Sequence, residues 1–399
     1  MTATRQPNYN LTLYACFIGY IVQAIVNNFI PLLFLTFQDT YHISLSKITL
    51  LITFNFAVQL TVDMISPKFI DKIGYRTSMI IAHIFAVAGF IGLTVLPDSL
   101  PNPFAGLLIS VSLYAVGGGL LEVLVSPVVE ALPTENKEKT MSLLHSFYCW
   151  GHVGVVLIST LFFFLFGIAN WKIMALCWAV VPFCNIILFA KAPMLPLLSE
   201  DEKGYTLKEL SAQPIFWLML LIMFCAGSSE QAVSQWASTF AEKGLQVSKT
   251  IGDLTGPMFF AILMGTSRLI YGKYGDKMDL HKTMVLSSCL CIASYLVISL
   301  SPVPAISLLA CGICGFSVGI MWPGAFSIAS ASIKRGGTLL FALLALAGDL
   351  GCGGGPTFVG MISDANGGNL KTGILVAIIF PLFMIIGLLC VKKTRSHRE

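Results

Sequence analysis

The sequence predicts an all-α membrane protein: twelve transmembrane helices arranged as two pseudo-symmetric six-helix bundles. Three observations lead there. The 399 residues are 56% hydrophobic and only 11% charged, with a mean hydropathy of +0.82, more apolar surface than a water-soluble fold can bury. The apolar residues fall into stretches close to the ~20 that cross a hydrocarbon core as helix, without the strict alternation of a membrane β-barrel. The longest polar stretch, KAPMLPLLSEDEKGYTLKELSAQP at 191–214, lies at the midpoint of the chain. Residues 1–190 and 215–399 are therefore expected to form the two bundles, joined by a cytoplasmic linker.

In order, the spans are expected at 12–36, 46–66, 76–97, 104–128, 139–165, 172–190, 215–240, 252–271, 283–300, 303–328, 335–362 and 372–391. The first follows ten polar residues and is too long for the core of a cleaved signal peptide. Basic residues orient the rest. With the N-terminus inside, alternate assignment leaves nineteen Lys and Arg on the inside, among them Lys68, Lys72, Arg76, Lys139, Arg268 and Lys277. Only five, Lys47, Lys172, Lys243, Lys249 and Lys371, fall outside. That distribution obeys the positive-inside rule with both termini cytoplasmic, as for a protein of a bacterial inner membrane. The cations then report topology, not a nucleic-acid partner. Most of the eleven cysteines lie in apolar spans, where the residue packs as a small hydrophobe. The CxC at 289–291 and CxxC at 311–314 lack the Cys/His spacing of a zinc site. No metal and no cofactor is expected, and no phosphate-binding loop, nucleophile elbow or HExxH marks an enzyme.

A charge at bilayer depth costs at least roughly 2.5–3.5 kcal/mol on insertion scales, so polar groups inside the spans are the candidate site. The first span holds Asn27 and Asn28. The second carries Asn55, Gln59 and Asp63 at i, i+4 and i+8, one polar helix face. In the fourth, GGGLLEVLVSP at 117–127 places Gly118, Glu122 and Ser126 on one small, polar face. A carboxylate removed from water there favours its neutral form and can take up and release a proton. The fifth puts His145, Cys149 and His152 on one face. The seventh has a stripe of Glu230, Ser234 and Ser238 with Gln231 and Gln235 beside it. The eleventh has Asp349 ahead of a glycine run at 351–355, expected to be a flexible, closely packed gate. Trp150, Trp236 and Trp322 offer flat faces on which a sugar ring stacks.

Weak internal echoes accompany the two-bundle reading. Asp71-Lys72 after the second span matches Asp276-Lys277 after the eighth, QAIVNN in the first matches QAVSQW in the seventh, and Pro127 matches Pro323. With these residues in place the chain resembles the major facilitator superfamily along nearly its whole length. That family's loop after the second helix, G-x-x-x-D-R-x-G-R-[KR], is here Pro67-x-x-x-Asp71-Lys72-x-Gly74-Tyr75-Arg76. The resemblance implies that Asp71, Lys72 and Arg76, with Asp276 and Lys277 in the second half, form gating loops at the inner surface.

The fourth span is similar to the fucose-permease-like sugar transporters, whose G-x-G-x-L-E-x-x-x-N-P is met by Gly117, Gly119, Leu121, Glu122 and Pro127, with Ser126 in place of the Asn. The resemblance gives Glu122 a proton-linked, sugar-contacting role. That branch also carries Asn-Asn-x-x-Asp in its first helix; Asn27 and Asn28 fit it, and Pro31 stands where the Asp would be. His145 occupies the place of a sugar-contacting polar residue in the fifth helix. Gly227, Glu230 and Trp236 resemble a motif of the sodium-dependent glucose transporter-like members.

The expected function is secondary active transport of a small polar solute, a monosaccharide, by alternating access of the two halves of a monomer in membrane lipid. Glu122 is the expected proton carrier. The substrate-binding candidates are Asn27, Asn28, Glu122, His145, Trp150, Glu230, Gln231, Gln235, Trp236 and Trp322; the ion-coupling candidates are Glu122, Asp63, Glu230 and Asp349. Three alternatives stay open: sodium coupling in place of the proton, efflux of amphipathic compounds on the same fold, and a non-transporting nutrient receptor.

Overall fold

The computed structural model describes residues 8–43, 45–197, 204–237, 256–367 and 369–396. Every regular element among them is helical. In chain order these are α1 (Asn10–Asn28), α2 (Phe34–Tyr41), α3 (Leu45–Ile65), α4 (Pro67–Ile73), α5 (Tyr75–Ser99), α6 (Pro103–Ala131), α7 (Lys137–Phe166), α8 (Trp171–Lys191), α9 (Leu207–Ser211), α10 (Pro214–Ser234), α11 (Pro257–Tyr274), α12 (Leu280–Leu300), α13 (Pro304–Val318), α14 (Met321–Ser332), α15 (Gly337–Ala365), α16 (Leu370–Val376) and α17 (Ile379–Ser396).

Among the described residues, ten helical segments are long and apolar enough to cross a membrane. Two further helices complete the twelve: α3, whose Phe54–Ile65 is a shorter apolar stretch, and α11, which carries Arg268 and Lys273. Local sequence sets their ends. Proline opens α4, α6, α10, α11 and α13, where the missing N–H costs nothing. Asn102 caps α6 by accepting from Phe104 N, and Asp279 caps α12 by accepting from Lys282 N, each satisfying a donor the helix start leaves over. Thr206 and Glu209 form a capping box in the linker helix α9.

Several expected spans are interrupted, among them the first, the tenth and the twelfth, the last at Ala377–Ile378 between α16 and α17. The first is helical to Asn28, and Ile30–Leu33 is a 3-10 turn containing Pro31, because proline cannot continue the α-helical hydrogen-bond ladder. The tenth is divided into α13 and α14 at Gly319–Ile320. Pro323 has no N–H to give to the carbonyl four residues earlier, and that carbonyl belongs to Gly319.

The chain divides into two compact units, one within Met1–Pro133 and Trp150–Asp201, the other within Thr134–Cys149 and Glu202–Glu399. The first turns of α7 therefore belong with the second unit. Within the first unit, glycines set the helix separations. On α6, Gly117 lies against the Ala82 and Ala86 backbone of α5, Gly118 against Val26 and Gln59, and Gly119 against the backbone of Gln59. Three consecutive small residues thus admit three neighbours, as interfaces between membrane helices require.

In the second unit the glycine run of α15 does the same. Gly351 and Gly355 lie on the Phe224 and Ser228 carbonyls of α10, and Gly227 of α10 lies on the Gly348 carbonyl. The run expected as a flexible gate is a continuous stretch of helix at a close crossing; methyl groups added at Gly227, Gly351 and Gly355 would drive the two backbones apart. Large apolar side chains such as Phe164, Leu165 and Phe166 stay exposed, as a lipid-facing surface allows.

Candidate functional site

Each unit holds its own polar cluster. In the first, α1 supplies Tyr20, Gln23 and Asn27, spaced three and four residues apart and so stacked on one face. Tyr20 Oη and Ser126 Oγ are 2.8 Å apart. The Gln23 amide donates to Glu122 Oε2 at 2.8 Å. One turn on, Asn27 Oδ1 accepts from Gln59 Nε2 at 2.8 Å and from Asn55 Nδ2 at 3.3 Å. Gly118, Glu122 and Ser126 do form the expected polar face of α6, and Gly118 leaves room for Gln59. Glu122 is half-buried and meets an amide, which orients a carboxylate without neutralising it. Asn28 turns its amide back to the Ala24 carbonyl of its own helix at 2.9 Å.

The second cluster centres on Arg268 of α11, the one buried Lys or Arg among the described residues. Its Nε donates to the Gly319 carbonyl at 2.8 Å, the carbonyl that Pro323 leaves without a helical donor. Nη1 donates to the His145 carbonyl at 3.1 Å and lies 3.0 Å from Cys149 Sγ. Nη2 meets Glu230 Oε2 at 3.4 Å. One guanidinium thus ties α11 to α7, α10 and the break between α13 and α14, using donors in several directions as its fork geometry permits. The amides continue the chain: Gln231 donates to Glu230 Oε1 at 3.3 Å, and Gln235 to Gln231 Oε1 at 3.2 Å.

Around this polar centre the rings form a wall. His145 stacks on Phe326 at 5.8 Å, and Phe326 contacts Phe341 at 5.3 Å and Trp322 at 6.3 Å. Trp322 is buried against Gly348, and Trp236 donates its indole N–H to the Pro356 carbonyl at 3.3 Å. Both indoles are engaged within the protein. Trp150 is 37% exposed.

The first turns of α7 are held at their far end by a separate contact. Asn136 caps the helix by accepting from Lys139 N at 2.9 Å, and its own amide donates to Asp276 at 3.0 Å. Lys139 Nζ reaches the other oxygen of Asp276 at 2.5 Å. A carboxylate at a helix N-terminus is favoured by the helix dipole. The Lys139 ammonium, with Asn136 assisting, holds the Asp276 carboxyl below the usual carboxylate range. Tyr271 Oη donates to Glu138 at 3.1 Å and Ser142 Oγ to the Arg268 carbonyl at 2.8 Å.

Of the other loop candidates, Arg76 donates to the Ala192 carbonyl at the end of α8 at 2.8 Å, and Lys72 and Lys277 are exposed. The Asp71 side chain and Ser238 lie outside what is described. Asp63 is buried near the end of α3, and Asp349 is half-buried on α15.

Three side chains of these clusters, Tyr20, Gln23 and Arg268, are absent from the sequence-derived candidates. Gln23 was legible as the residue one turn before Asn27. Arg268 is counted above among the inside topology cations, yet it is buried inside α11. Its position within an expected span, together with a mid-span proline that frees a carbonyl elsewhere, was the available signal.

The chain is similar to known proteins along most of its length. The family described as Major Facilitator Superfamily matches residues 15–356. No curated protein matches. Among solved structures, a variant of the E. coli fucose:proton symporter FucP is 17% identical over 96% of this chain and 99% of its own, with a TM-score of 0.79. The proton:xylose symporter XylE, bound to 6-bromo-6-deoxy-D-glucose, is 12% identical over 96% and 95%, with a TM-score of 0.81. The human organic anion transporter MFSD10 (TETRAN) is 14% identical over 96% and 100%, with a TM-score of 0.74. At these identities the likeness is one of fold.

Proposed function

This chain belongs to the Major Facilitator Superfamily, and from that premise we propose that it carries a monosaccharide across the membrane by alternating access, in symport with a proton held by Glu122. The observation that carries this reading is the company Glu122 keeps. It stands half-buried on α6, oriented by Gln23 and one turn from the Asn27–Asn55–Gln59 amides. A site of amides and one carboxyl suits a neutral, hydroxyl-rich solute. The similarity in fold to a fucose:proton and a proton:xylose symporter supports the same class.

The chemistry of the two carboxylates favours Glu122 over Glu230 as carrier. Ionised Glu230 is compensated by Arg268 at 3.4 Å, and a cation beside it already occupies the place a sodium ion would take. Glu122 accepts from the Gln23 amide, and a carboxyl at membrane depth favours its neutral form and can take up and release a proton. Protonation lets the loaded protein change state; release of proton and sugar on the other side resets it. Both ligands must prefer the same state for the two to be coupled. Asp63 and Asp349 are the remaining candidates for a coupling role.

Vesicles reconstituted with the protein test this reading. An imposed pH gradient should drive accumulation of a labelled hexose or pentose with sodium absent. Glu122→Gln should abolish that accumulation, by at least about tenfold, while sparing sugar counterflow, because the amide mimics the protonated acid. A requirement for sodium at fixed pH would transfer the coupling role away from Glu122, and accumulation of amphipathic compounds but of no sugar would favour efflux. The distribution of basic residues supports a reading with both termini on the cytoplasmic side, as in a bacterial inner membrane. A C-terminal alkaline phosphatase fusion should accordingly be inactive; an active fusion would reverse the orientation.

A further inference from the structure

A small, partly open cavity of about 20 Å³ lies within the first unit, lined by Asn27, Pro31, Asn55, Phe56 and Tyr114 among others. That is room for one water-sized group, a subsite rather than a place for a whole ring. Its polar lining is unevenly satisfied. Asn55 is 6% exposed, and its Oδ1 has no hydrogen-bond partner among the described residues. A buried acceptor left in that condition is an exception in a folded protein and calls for an explanation.

The amide orientations follow from the donors. Asn27 Oδ1 already takes two N–H groups, from Gln59 at 2.8 Å and Asn55 at 3.3 Å, which fills its two lone pairs. Reversing the Asn27 amide alone would set its NH2 against two other NH2 groups, so the three amides are placed consistently with one another. Asn27 Nδ2 donates to no described residue and is the end left to the cavity. Using its own Nδ2 on Asn27 fixes Asn55 in turn and leaves Oδ1 as the free acceptor. The amides that line the cavity therefore leave one donor and one acceptor unmatched, both neutral, with Asn55 Oδ1 buried in this state.

We propose that Asn27 and Asn55 form a hydroxyl-reading subsite for a neutral polyol. Asn55 Oδ1 accepts the proton of one substrate hydroxyl, and Asn27 Nδ2 donates to the oxygen of that hydroxyl or its neighbour. A hydroxyl is the group that satisfies both at once, being donor and acceptor together. A carboxylate would set oxygen against Asn55 Oδ1; an ammonium would set N–H against Asn27 Nδ2. Pro31 brings no charge to this wall, and Phe56, an exposed aromatic ring, lies beside it. The inference rests on the sugar-transport reading and adds to it a residue of α3 that chooses among sugars.

The test is a binding matrix on the purified full-length protein, with D-glucose, L-fucose and D-xylose and the monodeoxy analogues of each as probes. Wild type should bind one parent sugar, and one of its deoxy analogues should bind about tenfold more weakly. Asn55→Leu, near in size but without the acceptor, should lose about tenfold for the parent and almost nothing further for that analogue. Equal losses for the parent and every analogue, or no loss, would overturn the subsite and mean that the pair holds water only. Asn27→Asp keeps an oxygen for Asn55 and Gln59, and replaces the outward NH2 donor by a second carboxyl oxygen that is ionisable. It should reproduce the same analogue-selective loss even where Asn55→Leu melts early. Wild type that binds none of the parents would instead sink the sugar reading itself, and the subsite with it.

Discussion

Glu122 and Glu230 are both half-buried carboxylates on apolar helices, and they are held in opposite ways. Glu122 faces the Gln23 amide. Glu230 faces the Arg268 guanidinium, which in turn ties down the carbonyls of His145 and Gly319. An amide is indifferent to whether the acid carries its proton, apart from the hydrogen bonds it can offer. A guanidinium is not, because its charge cannot be discharged. One residue type thus stands in two settings: an amide donor at Glu122 and a guanidinium at Glu230. Motif reading ranks both glutamates as coupling candidates; their partners separate them.

The largest expected effect tests that separation through stability. Glu230→Gln removes the counter-charge from a buried guanidinium and should destabilise the purified protein by about 3 kcal/mol, the scale of a broken buried ion pair. Glu122→Gln should cost less than about 1 kcal/mol, since one neutral amide then faces another. Denaturant or thermal unfolding in detergent measures both, and equal losses would erase the contrast. Adding Arg268→Gln to Glu230→Gln should recover part of the loss, as expected for residues that act as a pair.

A smaller effect sharpens the neutral side of the comparison. Tyr20→Phe deletes the hydroxyl 2.8 Å from Ser126 and should cost about 1 kcal/mol, the usual net value of an uncharged hydrogen bond. A loss as large as that of Glu230→Gln would mean that the first cluster is as tightly built as the second.

The smallest effect belongs to the exposed pair of Lys139 and Asp276, for which no measurable change in unfolding is expected from Asp276→Asn. Its signature is a pH dependence. The Asp276 carboxyl is held below its usual range by Lys139, so the contact is fully present above the unfolded-state value and is lost as pH falls through the lowered one. Carboxyl NMR titration should show the Asp276 transition move upward in Lys139→Met. An unmoved transition would detach the lysine from the start of α7.

The number of crossings, the polar faces of α3 and α6 and the placement of Glu122 on a small-residue face were legible in the sequence, because each depends on residues a few positions apart along one helix. The 3.6-residue period turns such spacing directly into a face. The division of the tenth span was half-legible: Pro323 announces a missing hydrogen bond, and only the structure shows Arg268 supplying it to Gly319. Even the class of the glycine run at 351–355 was open, since glycine serves a hinge and a tight crossing equally well; its seat on the Phe224 and Ser228 carbonyls decides for the crossing.

What the sequence determined by itself is therefore local: an apolar twelve-span chain with carboxylates, amides and glycines at particular helical phases. Which carboxylate meets a cation and which an amide was decided by the tertiary structure alone. Glu230 and Arg268 stand on different helices, as do Gln23 and Glu122, and hydropathy carries no information about how far one helix slides along another. That registry is set where glycines let backbones touch, at Gly119 against α3 and at Gly351 and Gly355 against α10. A shift of one residue, about 1.5 Å along an α-helix, would move those glycines off their neighbours' backbones.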